Sequence, residues 1–351
     1  MTDRSIDPAS LELKVGALGA LVADDLGLFD AELGGRPAQR ERRVEARSPT
    51  RLALERLVRD RAAMIALGVV ILIALLAIFA PVVAILTGHP PNTQYQNGLS
   101  LDGLPEPPSA HFLLGTDSLG RDLLVRIAYG AQVSLLVGVV ATLLTVAIGA
   151  VIGLLAGYFG GIVDTVLSRL VDIMLAIPFL LFAISLASVV SITPLHFGPI
   201  ILHQGIAIVI LVIGIFSWST VARIVRGQVL AIREKEYIEA ARSLGAPAWR
   251  VLLVDVVPNV VATIIVYASL LIPLSIVAEA TLSYLGVGIP PPTADWGSMI
   301  ADAQGYYQEA WWYVLFPSLA LLITTVAFNV LGDGIRDAFD PRASRLIAEK
   351  Q

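Results

Sequence analysis

Cysteine is absent from all 351 residues, which excludes disulfides, thiolate metal ligands and a thiol nucleophile. Lysine is nearly absent too. Lys14, Lys235 and Lys350 are the only three, and none follows a glycine-rich loop and precedes Ser or Thr, so the chain has no phosphate-binding loop of the Walker type. The four histidines, at 89, 111, 196 and 203, are scattered and do not form a metal cluster. Neither an HExxH nor a GxSxG signature occurs, and the chain is not expected to be an enzyme. Charged residues make up 15% of the chain against 56% hydrophobic, whereas an ordinary soluble domain carries about 25% charge. This composition belongs in a bilayer.

In place of charge there is apolar length. Six stretches, at about 62–86, 131–156, 168–192, 200–222, 251–278 and 311–332, are long enough to cross a hydrocarbon core, which takes roughly 20 apolar residues. The expected fold class is all-α, a polytopic membrane protein with six transmembrane helices. An even count of spans puts both termini on one side. Of the Lys and Arg residues, 11 lie in 1–61, six in 223–250 and four after 332, against two in 87–130 and none in 193–199 or 279–310. By the positive-inside rule, both termini and the 223–250 loop are cytoplasmic. Residues 1–61 read as a cytoplasmic extension without a signal-peptide pattern, largely mobile. Nine arginines from Arg36 to Arg61 form its basic juxtamembrane end, which suits anionic headgroups and not nucleic acid.

The spans themselves carry little that could couple to an ion. Spans one, two, five and six have no Lys, Arg, Asp or Glu in their central portions, and the fourth has only His203 near its outer end. An ion-coupled carrier would place carboxylates near midplane. The energy then comes from outside the chain, or the protein is a passive pore. Arg169 and Asp172, three apart at the inner end of the third span, are expected to form a structural charge pair. Pro178 and Pro273 interrupt the third and fifth spans and permit kinks.

The outer loop 87–130 begins proline-rich and extended. In its second half Thr116 or Asp117 is placed to cap a helix, with Asp117 four residues before Arg121 and Asp122 four before Arg126. The expectation is an interfacial helix leading into the second span, a structural lead-in more than a substrate contact. The second outer loop, 279–310, breaks at its glycines and prolines, and with the start of the last span it offers a belt of Trp and Tyr rings. On the other side, at about 233–245, Arg233, Glu236, Glu239 and Arg242 recur every three residues. They predict one charged helix face with alternating ion pairs. Ala240 and Ala241 leave the backbone approachable, Gly245 ends the helix in a left-handed conformation, and Pro247 opens the next. A short, sharply terminated helix at a membrane surface is a docking shape.

Glu239-Ala240-Ala241, three residues, Gly245, and then Pro258 resemble the cytoplasmic signature of binding-protein-dependent ABC importer permeases. Asp255 and Val257 depart from the usual Ile-x-Leu-Pro ending. Gly115-Thr116-Asp117 and Gly120-Arg121-Asp122 resemble the external access motif of the oligopeptide/dipeptide/nickel branch of that family. Glu279-Ala280-x-Leu282-Ser283 with Trp296-Gly297, and the run from Leu331 to Arg342, also match that branch, so the resemblance covers about 60–342.

The resemblance implies a segment 62–130 with the first span and outer loop, a permease core at 131–333 and a cytoplasmic tail at 334–351. It makes Glu236, Glu239, Ala240, Ala241, Arg242 and Gly245 the residues of a coupling helix for an ATPase. It further implies a multi-pass subunit of a bacterial inner membrane, paired with a second homologous permease, two ATPase subunits holding ATP and Mg, and an extracytoplasmic substrate-binding protein, with no cofactor in this chain. Short peptides are the expected cargo, with nickel or a metallophore as the alternative. A passive channel or an ion-coupled carrier are the rivals from other classes.

Overall fold

The computed structural model describes residues 49–192, 195–197, 200–202 and 205–339. The extension 1–48, His203 and the tail from Asp340 lie outside the described residues. Helix α1 (Pro49–Arg59) ends at Asp60, whose carboxylate then accepts the Ala62 and Ala63 amides at 2.9 and 3.3 Å and caps α2 (Arg61–Ile78). A break at Phe79, with Pro81 in the first turn of the following helix, separates α2 from α3 (Ala80–Thr87), which ends at the left-handed Gly88. The first expected span is thus two helices in succession.

No proline occurs between Asp122 and Gly160, and α4 (Leu123–Phe159) runs unbroken for 37 residues. Its N-cap is Asp122, not Thr116 or Asp117, so no separate interfacial helix precedes the second span. Residues 116–122 instead form a closed turn, with Thr116 bridged to Asp122.

The third expected span is not kinked but broken. Helices α5 (Gly161–Ala176) and α6 (Phe179–Ile192) meet at 82°. Pro178 lacks an amide hydrogen and forces Ile177 into the extended region, with φ −85° and ψ 122°. A two-stranded antiparallel hairpin, β1 (Leu195–Phe197) and β2 (Ile200–Leu202), follows, so the fourth span starts later than expected, as α7 (Ile206–Arg233).

Beyond it lie α8 (Glu236–Ser243), a single turn at Ala248–Arg250, a π-helical stretch at Val251–Val256, and α9 (Val257–Tyr284). Pro273 is accommodated inside α9. The remaining helices are α10 (Trp296–Ala303) and α11 (Trp311–Phe339). Among the described residues, five helical segments are long and apolar enough to cross a membrane, or six when the bent pair α5–α6 counts as one span. The architecture is that of an all-α polytopic membrane protein.

Helix α4 packs along α7 through small residues. A Cβ added at Gly153 would stand 2.6 Å from the Ala222 carbonyl oxygen, so the close approach of the two backbones requires glycine there. At one end of α4, Leu123 and Ile127 join Trp296, Met299, Trp312 and Tyr313 in a core that fixes the outer loops. At the other end, Tyr158 joins Val229, Ile232, Ile238, Val251 and Val256. With a rise of about 1.5 Å per residue, Leu123 and Tyr158 stand about 52 Å apart along the helix.

Candidate functional site

Helix α8 buries one side chain completely and presents most of the others to solvent. Ile238 is fully buried in the core shared by α4, α7 and the π-helical stretch, a burial that contributes about 1.5–3 kcal/mol. Ala241 is half-buried beside it, while Glu236, Tyr237, Glu239, Ala240 and Arg242 are exposed. The helix ends as a Schellman motif. The Ala246 amide donates to the Ala241 carbonyl at 3.1 Å and the Gly245 amide to Arg242 at 2.9 Å, with Gly245 at φ +79°. Two hollows flank it. One, of 350 Å³, lies between Tyr158, Arg233 and Ala246, and the other, of 410 Å³, between Leu244, Pro247, Arg250 and Asp255.

The expected row of ion pairs on this helix does not form. Arg233 belongs to α7 and donates to the carbonyls of Gly157 and Tyr158 at 3.2 and 3.4 Å, closing the end of α4. Arg242 lies over the Tyr158 ring, 5.2 Å from its centroid. Glu236 and Glu239 are left exposed and, among the described residues, unpaired. Periodicity placed these charges at the right spacing, but the helix boundary at Glu234–Lys235 takes Arg233 off that face. The sequence reading also missed the apolar component of the surface. Leu244 is 89% exposed and Trp249 60% exposed, and Trp249 rests edge-on against Phe159, their centroids 6.0 Å apart.

The six residues expected to form an external entry motif, Gly115, Thr116, Asp117, Gly120, Arg121 and Asp122, are buried and bond within the chain. Gly115 is left-handed, and a Cβ there would stand 2.7 Å from the Trp312 ring. The Thr116 hydroxyl donates to the Gly98 carbonyl at 2.6 Å and accepts the Glu106 amide at 2.8 Å. Gly120 is likewise left-handed, at φ +72°. Asp117 accepts the Leu119 and Arg121 amides and pairs with Arg121 Nε at 2.6 Å and Arg126 Nε at 3.3 Å. Asp122 caps α4 with one oxygen and meets His89 Nδ1 at 2.7 Å with the other. The structural lead-in therefore exists, but as a knotted turn in place of a helix.

Asp295 caps α10, accepting the Ser298 amide at 2.8 Å, and is fully buried. That burial pushes its carboxyl above the ordinary carboxylate range, against the Ser298 hydrogen bonds. Burial also raises Asp302, opposed by Arg121 and Arg126.

The expected charge pair is corrected. Asp172 pairs with Arg223 of α7 at 3.0 Å, while Arg169 is exposed. Two turns earlier on α5, Asp164 accepts two bonds from Arg226, the Nη2 contact at 2.7 Å. The lock runs between helices because the guanidinium groups of α7 face the carboxylates of α5. One carboxylate that the sequence reading set at the start of the second outer loop belongs to a helix instead. Glu279 lies inside α9, fully buried, and accepts the hydroxyls of Ser134 at 2.8 Å and Ser283 at 3.2 Å.

Residues 149–345 match the family described as the binding-protein-dependent transport system inner membrane component, and residues 48–108 match the N-terminal TM domain of oligopeptide transport permease C. The chain is similar to the oligopeptide transport system permease protein OppC of Escherichia coli K12, 40% identical over 85% of this chain and 93% of that protein. It is 36% identical to the dipeptide transport system permease protein DppC of Bacillus subtilis 168, over 85% of this chain and 87% of that one. With the glutathione transport system permease protein GsiD of Pectobacterium atrosepticum it shares 39% identity over 70% of this chain and 78% of that one.

Proposed function

Because the chain belongs to the family of binding-protein-dependent transport system inner membrane components, we propose that it is a permease subunit of an ATP-driven importer of short peptides. It works beside a second, homologous permease, on two ATPase subunits that hold ATP and Mg, and receives cargo from an extracytoplasmic binding protein. The peptide cargo is supported by the oligopeptide and dipeptide permeases among its relatives. The cytoplasmic placement of both termini and of α8 rests on the distribution of Lys and Arg along the chain.

The observation that carries the reading is the geometry of α8. A two-turn helix with one fully buried anchor, exposed acidic residues, a hollow on either side and exposed Leu244 and Trp249 is shaped to sit in a cleft of another protein. Ile238 ties it to the core shared by the ends of α4 and α7 and by the π-helical stretch that leads into α9, so displacement of α8 passes to the membrane helices through that core. Glu239→Lys reverses an exposed charge without touching the anchor. In the reconstituted transporter it is expected to abolish peptide uptake while binding-protein capture persists. Wild-type uptake in that variant would end the docking assignment, and uptake of nickel without uptake of peptide would end the cargo assignment.

A further inference from the structure

Among the described residues the fold buries four carboxyl groups, those of Asp117, Asp122, Glu279 and Asp295, against two guanidinium groups, Arg121 and Arg126, and one imidazole, His89. Even with His89 protonated, the acidic groups outnumber the basic ones by one. A buried charge with no counter-ion neutralises by taking up a proton. The set as a whole therefore holds one.

The geometry places it. Asp122 meets His89 Nδ1 at 2.7 Å, and Asp117 meets Arg121 Nε at 2.6 Å. Asp295 accepts the Ser298 amide at 2.8 Å and the Ser298 hydroxyl at 2.6 Å, and it faces Arg126. The Arg126 Nε stands 3.3 Å from Asp117 yet donates no hydrogen bond among the described residues, so this guanidinium has capacity left for Asp295. Glu279 has hydroxyls alone, Ser134 of α4 at 2.8 Å and Ser283 at 3.2 Å. The Ser283 hydroxyl faces Asp295 as well. A hydroxyl has one proton to give and cannot donate to two carboxylates. With a proton on Glu279 the conflict disappears, because Glu279 then donates to Ser283 Oγ and Ser283 donates to Asp295.

These groups sit where α10 and the loop before it are folded back onto the membrane helices. The first turn of α10 lies so close to α9 that a Cβ at Gly297 would collide with the Ala280 backbone. Trp296 Nε1 donates to the Ile127 carbonyl of α4 at 3.1 Å, and the Ile289 amide donates to Ser283 Oγ at 3.4 Å. Two ionised carboxylates on either side of Ser283 would repel each other across this seam.

We propose that Glu279 and Asp295 form a proton-binding site that clasps α10 and the loop 285–295 to α9 and α4, fastened while one proton is shared between the two carboxyls and loosened when it leaves. The other charged and titratable groups around the site are Asp117 and Arg121 of the 116–122 turn, Arg126 of α4, Asp302 of α10 and Tyr313 of α11. The proton belongs to the fastened form. The clasp is therefore complete at low pH and is lost as pH rises through the value at which the pair, titrating as a unit, gives it up.

The test uses the complete transporter in proteoliposomes, carried from mildly acid to mildly alkaline buffer without cargo. In infrared difference spectra the wild type is expected to lose a carbonyl band of a protonated carboxyl group. That band is expected to be missing from Glu279→Gln and displaced in frequency in Ser134→Ala, which removes a hydrogen bond and keeps the proton. Hydrogen exchange over residues 285–303, with the intrinsic base catalysis divided out, supplies the mechanical readout. Protection is expected to fall severalfold with rising pH in the wild type and to stay level in the permanently neutral Glu279→Gln. In Ser134→Ala it is expected to be lower at every pH with the wild-type slope, as a purely structural contact would give. A wild-type spectrum with no such band would overturn the site, even should Glu279→Gln fail to assemble. So would a band of unchanged frequency in Ser134→Ala, or the wild-type exchange slope in Glu279→Gln.

Discussion

Asp295 shows how much one buried carboxylate decides about the outer loops. Its folded pKa is raised above the unfolded one by burial, so its contribution is present in full at low pH. That contribution is lost as pH rises through the folded value. Asp295→Asn keeps a capping oxygen and removes the proton equilibrium. With the intrinsic base catalysis of exchange divided out, protection of the amides over residues 294–303 should therefore fall as pH rises in the wild type and stay flatter in the variant; identical pH dependence in both would remove Asp295 as the cause. Gly245 is a second residue with an outsized role, at φ +79° with open space around it. Gly245→Ala meets no steric neighbour and costs about 1–2 kcal/mol of left-handed backbone strain, visible as faster exchange at residues 244–250. The Gly245 stop was legible in the sequence because a left-handed terminus demands a residue without Cβ. The partner of Asp172 was not, because Arg223 lies 51 positions away and only the crossing of α5 and α7 brings the two together.

At the scale of elements, periodicity and length located the spans, and proline located their interruptions. What sequence spacing could not say was how severe each interruption is. Pro273 sits inside a continuous α9, whereas Pro178 separates two helices at 82°. The difference lies in what surrounds them: Phe182 of α6 packs on Phe216 of α7 with centroids 3.9 Å apart and the rings tilted by 32°, which holds α6 in its turned direction. Likewise, Asp122 rather than Thr116 became the cap of α4 because Thr116 is committed to Gly98 and Glu106. The α5–α7 lock is unequal along its length. Asp164 and Arg226 are largely sheltered, with side chains 21% and 35% exposed, whereas Asp172 and Arg223 are 53% and 60% exposed. Asp164→Asn is expected to destabilise the complex by about 1 kcal/mol, and Asp172→Asn by less than about 0.5 kcal/mol, compared by thermal unfolding of the detergent-solubilised transporter. Equal shifts would mean that shelter does not set the strength of the lock.

For the whole molecule, the Asp122 end of α4 is organised by buried charge and the Tyr158 end by buried apolar surface. Arg126 reaches the Pro91 carbonyl and Asn92 Oδ1, both at 3.3 Å, while pairing with Asp117. It thus ties the first outer loop to the start of α4. Arg126→Ala leaves Asp117 with Arg121 and strips the loop of its tie. The expected result is a lower unfolding midpoint together with accelerated proteolysis at 90–106; an unchanged cleavage pattern would show that the loop holds itself.

The unbroken course of α4 has a mechanical corollary. A member that is stiff over its full length behaves as a push-rod, not a spring. Force applied beside Tyr158 arrives at Asp122 as bodily displacement, with little absorbed on the way. Compliance in the subunit then resides where the backbone is already divided, at Phe79, at Gly160 and at the elbow of Ile177 and Pro178, the joints about which a fixed strut can swing.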